Sequence, residues 1–434
     1  MSARALLAEP RFRSYFVAST VSQLGDRISE LAFPLTAVLV LHASAAEVSV
    51  LTAVVWLPNL AAVFLGPWID RRPNKRALMV VADLARALLL VTVPIAFAFD
   101  AVTLVQLYVV ALLTGAFATL FNTTYPAFFV QLVTREQFID ANSALSATRS
   151  GSFIVGPALG GWLIQLLTAP IAILVDAISF LVSAFFIGRV EPQRAVATDE
   201  TTDETPARSI GRQAREGLRF ITRHPVLRAS LASSTIVNFF TFAAAAVLIV
   251  FAARQLDLTS GLIGLALGIG AFGGLVGAVT APSLSRRFGV GPVGMVGAVV
   301  FPASLALAAV ADGPVWARAA MLGLSEVFSG FGVMLYDVNL NSVMTTVIPD
   351  AMRSRVAGAY SAINYGIRPL GALVGGALGT WVGLRETLWI AAIGGSLCVL
   401  ALASSPIRRT RTLDDLTPFV EQRGQSLQDS SAQS

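Results

Sequence analysis

The sequence predicts an all-α membrane protein with twelve transmembrane helices in two pseudo-symmetric six-helix halves, and three observations predict it. Of 434 residues, 55% are AVILMFWYC and 13% are DEKR. Soluble proteins carry about 25% charged residues, so there is too little charge here to cover an aqueous surface. The apolar residues fall in long runs matching the roughly 20 residues that cross a 30 Å hydrocarbon core, not in the alternating runs of about ten that a barrel requires. The chain also matches itself when displaced by 215 residues. This composition excludes a soluble globular protein and a disordered one. The one cysteine, Cys398, permits no internal disulfide, and with His42 and His224 as the only histidines no metal site is expected.

Span 1 is read at 14–41. It follows Arg11 and Arg13, is too long for a signal-peptide core and carries acids, so it is expected to stay in the mature protein. Spans 2 and 3, at 47–69 and 77–99, flank a basic turn. Spans 4, 5 and 6 are read at 103–131, 138–167 and 170–188. The stretch that follows breaks the apolar pattern: acidic Thr198 to Glu204 gives way to Arg208, Arg212, Arg215, Arg219 and Arg223 at helical intervals. Its basic face suits either anionic headgroups or plain solvation. Spans 7 to 12 are read at 229–253, 260–284, 290–312, 315–346, 353–382 and 385–405, and the polar tail after Pro406 reads as disordered. The division is thus 1–188 and 229–405 for the halves, 189–228 for a basic linker and 406–434 for the tail.

Basic residues settle the expected orientation, because basic loops stay cytoplasmic. Of the 31 Lys and Arg, only Arg254, Arg318 and Arg385 fall in loops on one side, while Arg27, Arg86, Arg149 and Arg368 fall inside spans. The rest lie on the side of the termini. A multi-pass protein of the inner (plasma) membrane with both termini cytoplasmic is expected. The net charge of +5 therefore reports topology, and no nucleic-acid partner is expected.

The 215-residue displacement aligns Pro10 with Pro225, Arg13 with Arg228, Pro67 with Pro282, Arg71 and Arg72 with Arg286 and Arg287, and Gly156, Gly160 and Gly161 with Gly371, Gly375 and Gly376. Matched Pro and Arg residues in loops favour duplication over chance pairing of glycines. Such repeats in transporters place a substrate site between the halves, near the midplane.

Between spans 2 and 3, Gly66-Pro-Trp-Ile-Asp70-Arg71-Arg72-Pro-Asn-Lys75-Arg76 resembles the G-x-L-A-D-R-x-G-R-K/R loop of the major facilitator superfamily, with Pro73 and Asn74 in the usual glycine region. The resemblance implies a gating loop, in which Gly66 allows close helix approach and Asp70 holds a neighbouring helix end or Arg. The second-half copy has Ser285 in place of the acid. In span 5, Gly151-Ser-Phe-Ile-Val-Gly156-Pro157-Ala-Leu-Gly160-Gly161 resembles the G-P-x-x-G-G signature of the superfamily's antiporters. Small residues at this spacing let helices pack backbone to backbone, and Pro157 permits a bend. Ser22 to Asp26, Asp83 to Arg86, Ala141-Asn142 and Asp176 to Phe180 are similar to the branch of enterobactin and macrolide exporters. The glycines of span 8 (Gly264, Gly268, Gly270, Gly274, Gly277) and span 11 (Gly371, Gly375, Gly379) read as packing faces.

A charge at the bilayer centre costs at least about 2.5 to 3.5 kcal/mol, so each one calls for a partner or a wet cavity. Asp26 and Glu30 lie four residues apart on one face of span 1, as a proton carrier requires; the other reading is a structural ion pair with Arg27 or Arg149. Arg149 lies roughly 16 Å deep at 1.5 Å per residue, suited to neutralising Asp26 or binding an anionic substrate. Asp83 and Arg86 read as a local pair on span 3. Asp176, Glu326 and Arg368 are also deep, and Asp337 reads as a cap or gate. Cavity-lining candidates, each also compatible with core packing, are Asn122, Tyr125, Asn238, Phe239, Phe240, Tyr336, Tyr360, Asn364 and Tyr365.

The resemblance implies a monomeric secondary transporter exporting a small organic molecule, such as a drug, siderophore or other secondary metabolite, by proton antiport and alternating access. The partners expected are that substrate, protons and membrane lipid, with no cofactor. A proton-independent facilitator or lysophospholipid flippase is the alternative on the same fold, and a non-transporting receptor is a third. No nucleotide-binding loop or catalytic constellation is read in the chain, so no enzymatic activity is expected.

Overall fold

The computed structural model describes residue 6 and residues 8–134, 136–190 and 210–416. Arg135, the acidic part of the linker with Arg208, and the tail beyond 416 lie outside the described residues.

The described residues form an all-helical bundle of antiparallel spans. Span 1 is Pro10–Leu35, prolonged by a π-turn at Thr36–Val40 just after Pro34. Span 2 differs from the continuous helix expected: Ala45–Trp56 and Ala62–Asp70 are separated by a 3-10 stretch, Leu57–Ala61. Pro58 lies in that stretch, where it removes a backbone donor and favours the break. Spans 3 to 6 are Lys75–Ala98, Leu104–Phe129, Phe138–Leu167 and Ala169–Gly188. A linker helix, Ile210–Arg223, precedes spans 7 and 8, Pro225–Arg254 and Ser260–Phe288. Span 9 is Val290–Ala303 and Leu305–Ala309, interrupted after Pro302, and span 10 is Val315–Val347. Span 11 is Arg353–Trp381, and span 12 is Leu384–Ser396 followed by Cys398–Ala403.

Five helix starts pair at a displacement of 215: Pro10 with Pro225, Ala45 with Ser260, Lys75 with Val290, Phe138 with Arg353, and Ala169 with Leu384. The caps repeat too. Ser44 and Thr259 each accept a hydrogen bond from the amide three residues on. His42 and Asp257 share a left-handed backbone, φ 50° and 48°, and Thr168 (φ 82°) matches Gly383 (φ 125°) at the same turn. Gly383 takes that conformation without steric cost, whereas Thr168 holds it at the expense of a side-chain clash.

Nine helices among the described residues are long and apolar enough to cross a membrane. The exceptions are spans 1, 2 and 11, which carry Asp26, Arg27 and Glu30, the 3-10 break, and Arg368 with Asn364. Two exposed tryptophans, Trp316 and Trp381, sit at span ends on the face opposite the termini, where aromatic side chains favour the lipid–water boundary.

The tail corrects an expectation. Residues 406–416 are ordered as two 3-10 turns, Pro406–Arg409 and Leu413–Leu416, with Ile407 and Leu416 buried. The carbonyls of Thr410 and Arg411 accept from Gly291 and Val290, two otherwise unpaired donors at the start of span 9. Asp415 closes the turn by accepting from the Thr412 and Arg411 amides at 3.0 and 2.7 Å, which hold its carboxyl below the usual range. The linker helix also docks, through Glu216 to Arg355 at 3.0 Å and Gly217 against the Arg355 carbonyl, while Arg212, Arg215 and Arg219 are exposed.

Candidate functional site

Glycine decides where the halves meet. Gly161 of span 5 and Gly264 of span 8 bring their backbones into contact, and a Cβ on Gly161 would collide with the Ser260 carbonyl. Gly376 and Gly379 of span 11 lie against Ser49 and Ala45 of span 2. Two hydrogen bonds join the halves at the same level: Arg254 Nη2 to the Ala43 carbonyl at 2.8 Å, and the Gly261 amide to Gln165 Oε1 at 3.1 Å. All of these contacts lie toward the face opposite the termini. On the terminal side of the midplane, Cβ atoms at Gly66 and Gly358 would meet nothing within 4 Å among the described residues. The halves are in backbone contact at one end, while at the other these two glycines face open space among the described residues.

The two glycine motifs play different parts in this arrangement. Gly156 and Gly160 receive Arg27 and Ile28 of span 1, and Gly161 receives span 8. Pro157 does not break span 5, and its carbonyl faces Gly264. Gly151 faces open space, and the close approach expected at Gly66 is not seen among the described residues. In the loop after span 2, Lys75 Nζ donates to the Ile69 carbonyl and Arg76 Nη1 to that of Val190 at 3.0 Å. Arg71 is exposed, and the Asp70 side chain lies outside the described residues. In spans 8 and 11, Gly270 and Gly277 pack on span 10, and Gly371 and Gly375 on span 7.

The first half holds a buried charge cluster. Arg86 Nη2 donates to Asp26 Oδ1 across spans 3 and 1, and the guanidinium lies 3.7 Å from the centre of the Phe180 ring. The sequence reading paired Arg86 with its neighbour Asp83. Instead Asp83 Oδ2 accepts from Ser183 at 2.6 Å, and the ion pair of Arg86 is with Asp26 of the facing helix. Asp176 accepts from Ser29 and, at 3.0 Å, from Ser179, and it lies within electrostatic reach of both Asp26 and Arg86. Asp83 and Asp176 are buried, and Asp83 Oδ1 and Arg86 Nε are buried without a hydrogen-bond partner among the described residues. The Asp26 side chain is 36% exposed against 7% for Arg86, so Asp26 is the more accessible member of the pair.

Asp26 and Glu30, placed together by the sequence, find different cations. Glu30 pairs with Arg27 at 2.5 Å, and Arg27 lies over the Phe153 ring. Arg149 does not reach Asp26: it is exposed and interacts electrostatically with Tyr15 and Tyr125. Glu326 sits between spans 8 and 10 against Gly270.

A cavity of about 400 Å³ lies in the second half, walled by spans 7, 10 and 11 on the terminal side of the midplane. Of the residues expected to line a cavity, Asn238, Tyr336, Tyr360, Asn364 and Tyr365 do so, joined by Asp337 and Arg368. The other four do not line it. Phe239 presents its backbone to Gly371, Phe240 fills the space over Gly394 and Gly395, Tyr125 stacks on Tyr15 and Phe129, and Asn122 is exposed on span 4. Arg368 Nε donates to Asn238 Oδ1 at 3.1 Å, and Asn238 Nδ2 donates to Asn364 Oδ1 at 3.0 Å. The guanidinium lies 4.6 Å from the Trp56 ring centre of the first half, so this contact links the halves near mid-membrane.

The sequence reading missed the hydroxyls of the cluster, the aromatic cage of Trp56 and Phe242, and the Arg254 and Gln165 contacts. Ser179 and Ser183, three and seven residues after Asp176 on one helix face, were a usable signal. Nothing local marks Arg254 as more than a loop cation.

The family profile described as Major Facilitator Superfamily matches residues 15–372 and 231–429. The chain is 29% identical over 408 residues to the multidrug efflux pump Tap of Mycolicibacterium fortuitum, covering 92% of this chain and 95% of that one. Among solved structures, a single-substitution mutant of the nucleoside transporter NupG superposes with a TM-score of 0.75 at 12% identity, covering 91% of this chain and 99% of that one. A bacterial homologue of the iron transporter ferroportin, at 16% identity and covering 91% and 98%, superposes at 0.73 in its inward-facing state. These two likenesses concern the fold alone. With nearly the whole chain matched by one family profile, and its helices folded as that family folds, the protein belongs to the Major Facilitator Superfamily: a multi-pass membrane transporter of small molecules and not an enzyme.

Proposed function

We propose that this protein exports small organic molecules across the cell membrane in exchange for protons, with both termini in the cytoplasm and the described conformation open to that side. One observation carries the proton reading: three carboxylates, Asp26, Asp83 and Asp176, surround the single guanidinium of Arg86 in a largely dry cluster. Such a set would carry excess negative charge if fully ionised, and low-dielectric surroundings favour neutralising that excess with protons. Asp26, the more accessible member of the pair, is the exchange point. Deprotonated, it pairs with Arg86 as in the terminal-open form; protonated from the other side, it releases Arg86 to Asp83 and Asp176 and biases the halves toward the opposite opening. Similarity to a multidrug efflux pump supports export.

The test compares cells with and without the protein by profiling metabolites in cells and medium and the uptake of a panel of antimicrobial compounds. The expected outcome is that at least one compound is excluded from expressing cells and that a protonophore abolishes the exclusion. Exclusion that survives the protonophore would indicate a facilitator or flippase, and no difference for any compound would argue against export.

A further inference from the structure

Arg368 has five N–H donors and uses one of them, on Asn238. Its guanidinium is caged by rings, with centres 4.6 Å away at Trp56, 4.9 Å at Tyr365 and 5.0 Å at Phe242. Among the described residues no carboxylate comes within 4.0 Å of it, and it lines the cavity. Asp337 of span 10 lines the same cavity. It lies within electrostatic reach of Arg368, and no hydrogen bond or ion pair satisfies it among the described residues. One cavity thus displays a cation and an anion, held apart, and among the described residues neither has an oppositely charged group within ion-pair distance. At the corresponding positions 215 residues earlier stand Phe153 and Asn122, so the repeated scaffold does not require either charge.

The geometry points to an amphoteric aromatic substrate, with an acidic oxygen on the Arg368 guanidinium, a basic amine on Asp337 and a flat ring against Phe242 and Tyr365, which line the cavity. A substrate with only an acid would face Asp337 unpaired, and one with only an amine would face Arg368, so each loses one ion contact and retains one repulsion. The volume of about 400 Å³ suits a drug-sized molecule. Trp56 of the first half lies against the Arg368 guanidinium, so the cation that would hold the substrate is itself in contact with the other half. This assignment rests on the exporter reading and names its substrate class.

The test measures equilibrium binding to the purified full chain in lipid nanodiscs, using ciprofloxacin (acid and amine), its methyl ester (amine alone) and nalidixic acid (acid alone). Ciprofloxacin is expected to bind at least tenfold tighter than either of the others. Arg368→Gln should weaken ciprofloxacin and nalidixic acid at least tenfold and spare the ester, whereas Asp337→Asn should weaken ciprofloxacin and the ester and spare the acid. Arg368→Lys, which keeps the charge, should retain the preference for acid-bearing compounds, and unchanged melting of the variants excludes misfolding as the cause. Equal binding of all three, insensitivity to both substitutions or no binding of ciprofloxacin overturns the assignment. Transport tells the two readings apart: export that is identical in wild type and both variants keeps the exporter and discards this site, while failure of the wild type to move any compound in a broad panel discards the exporter.

Discussion

At the scale of single residues, Arg86 is the side chain on which the first half most depends. It neutralises Asp26, stands within reach of Asp83 and Asp176, and lies on the Phe180 ring. Removing one partner of a buried pair costs about 3 to 5 kcal/mol because the other charge is stranded. Arg86→Leu is therefore expected to destabilise the protein by that order, seen as a lower thermal midpoint in detergent, and adding Asp26→Asn should recover part of the loss by removing the stranded acid. Strictly additive losses in the double variant would show that the two do not act as a pair. The sequence identified Asp26, Asp83, Arg86 and Asp176 because charge is rare in spans, but it assigned the wrong partners. Spacing along one helix is visible in a sequence, whereas the meeting of Asp26 and Arg86 depends on how spans 1 and 3 are placed.

At the scale of elements, the spans were legible to within a few residues from their apolar runs, while the starts themselves are set by local determinants the reading did not use: Pro at the first position of spans 1 and 7, which begin four residues before the ranges read, and Ser44 and Thr259 as caps of spans 2 and 8. The break in span 2 and the docked tail were not legible. The first turns on the context around Pro58, and the second on unpaired donors of span 9 that lie far away in sequence. Span 5 shows what a glycine motif does in this fold. Gly161 has no room for a side chain because the closed end brings it against Ser260 and Gly264, so Gly161→Val should hold that end open. Ser49 is buried there against Gly376 and offers a reporter, since Cys398, the only native cysteine, is itself buried and replaceable. With Cys398→Ala as background, Ser49→Cys is expected to react with a membrane-impermeant maleimide at least tenfold faster once Gly161→Val is added. An unchanged rate would mean that this contact does not set closure.

At the scale of the whole molecule, the two halves share helix starts and caps but not charges. The first carries the Arg86 cluster; the second carries the cavity with Arg368 and Asp337. This separation places the proposed proton site and the proposed substrate site in different halves, joined by the Trp56–Arg368 contact near mid-membrane and by the glycine-lined closure. Coupling then arises from the rocking of one half against the other, with no need for proton and substrate to touch. The most direct measurement follows pH inside proteoliposomes containing the purified protein while a transported compound is supplied on one side. The account predicts proton movement opposite to the compound in wild type and its loss in Asp26→Asn, with the variant still folded and still binding the compound. Compound transport with no accompanying proton movement, or undiminished proton movement in Asp26→Asn, would contradict it.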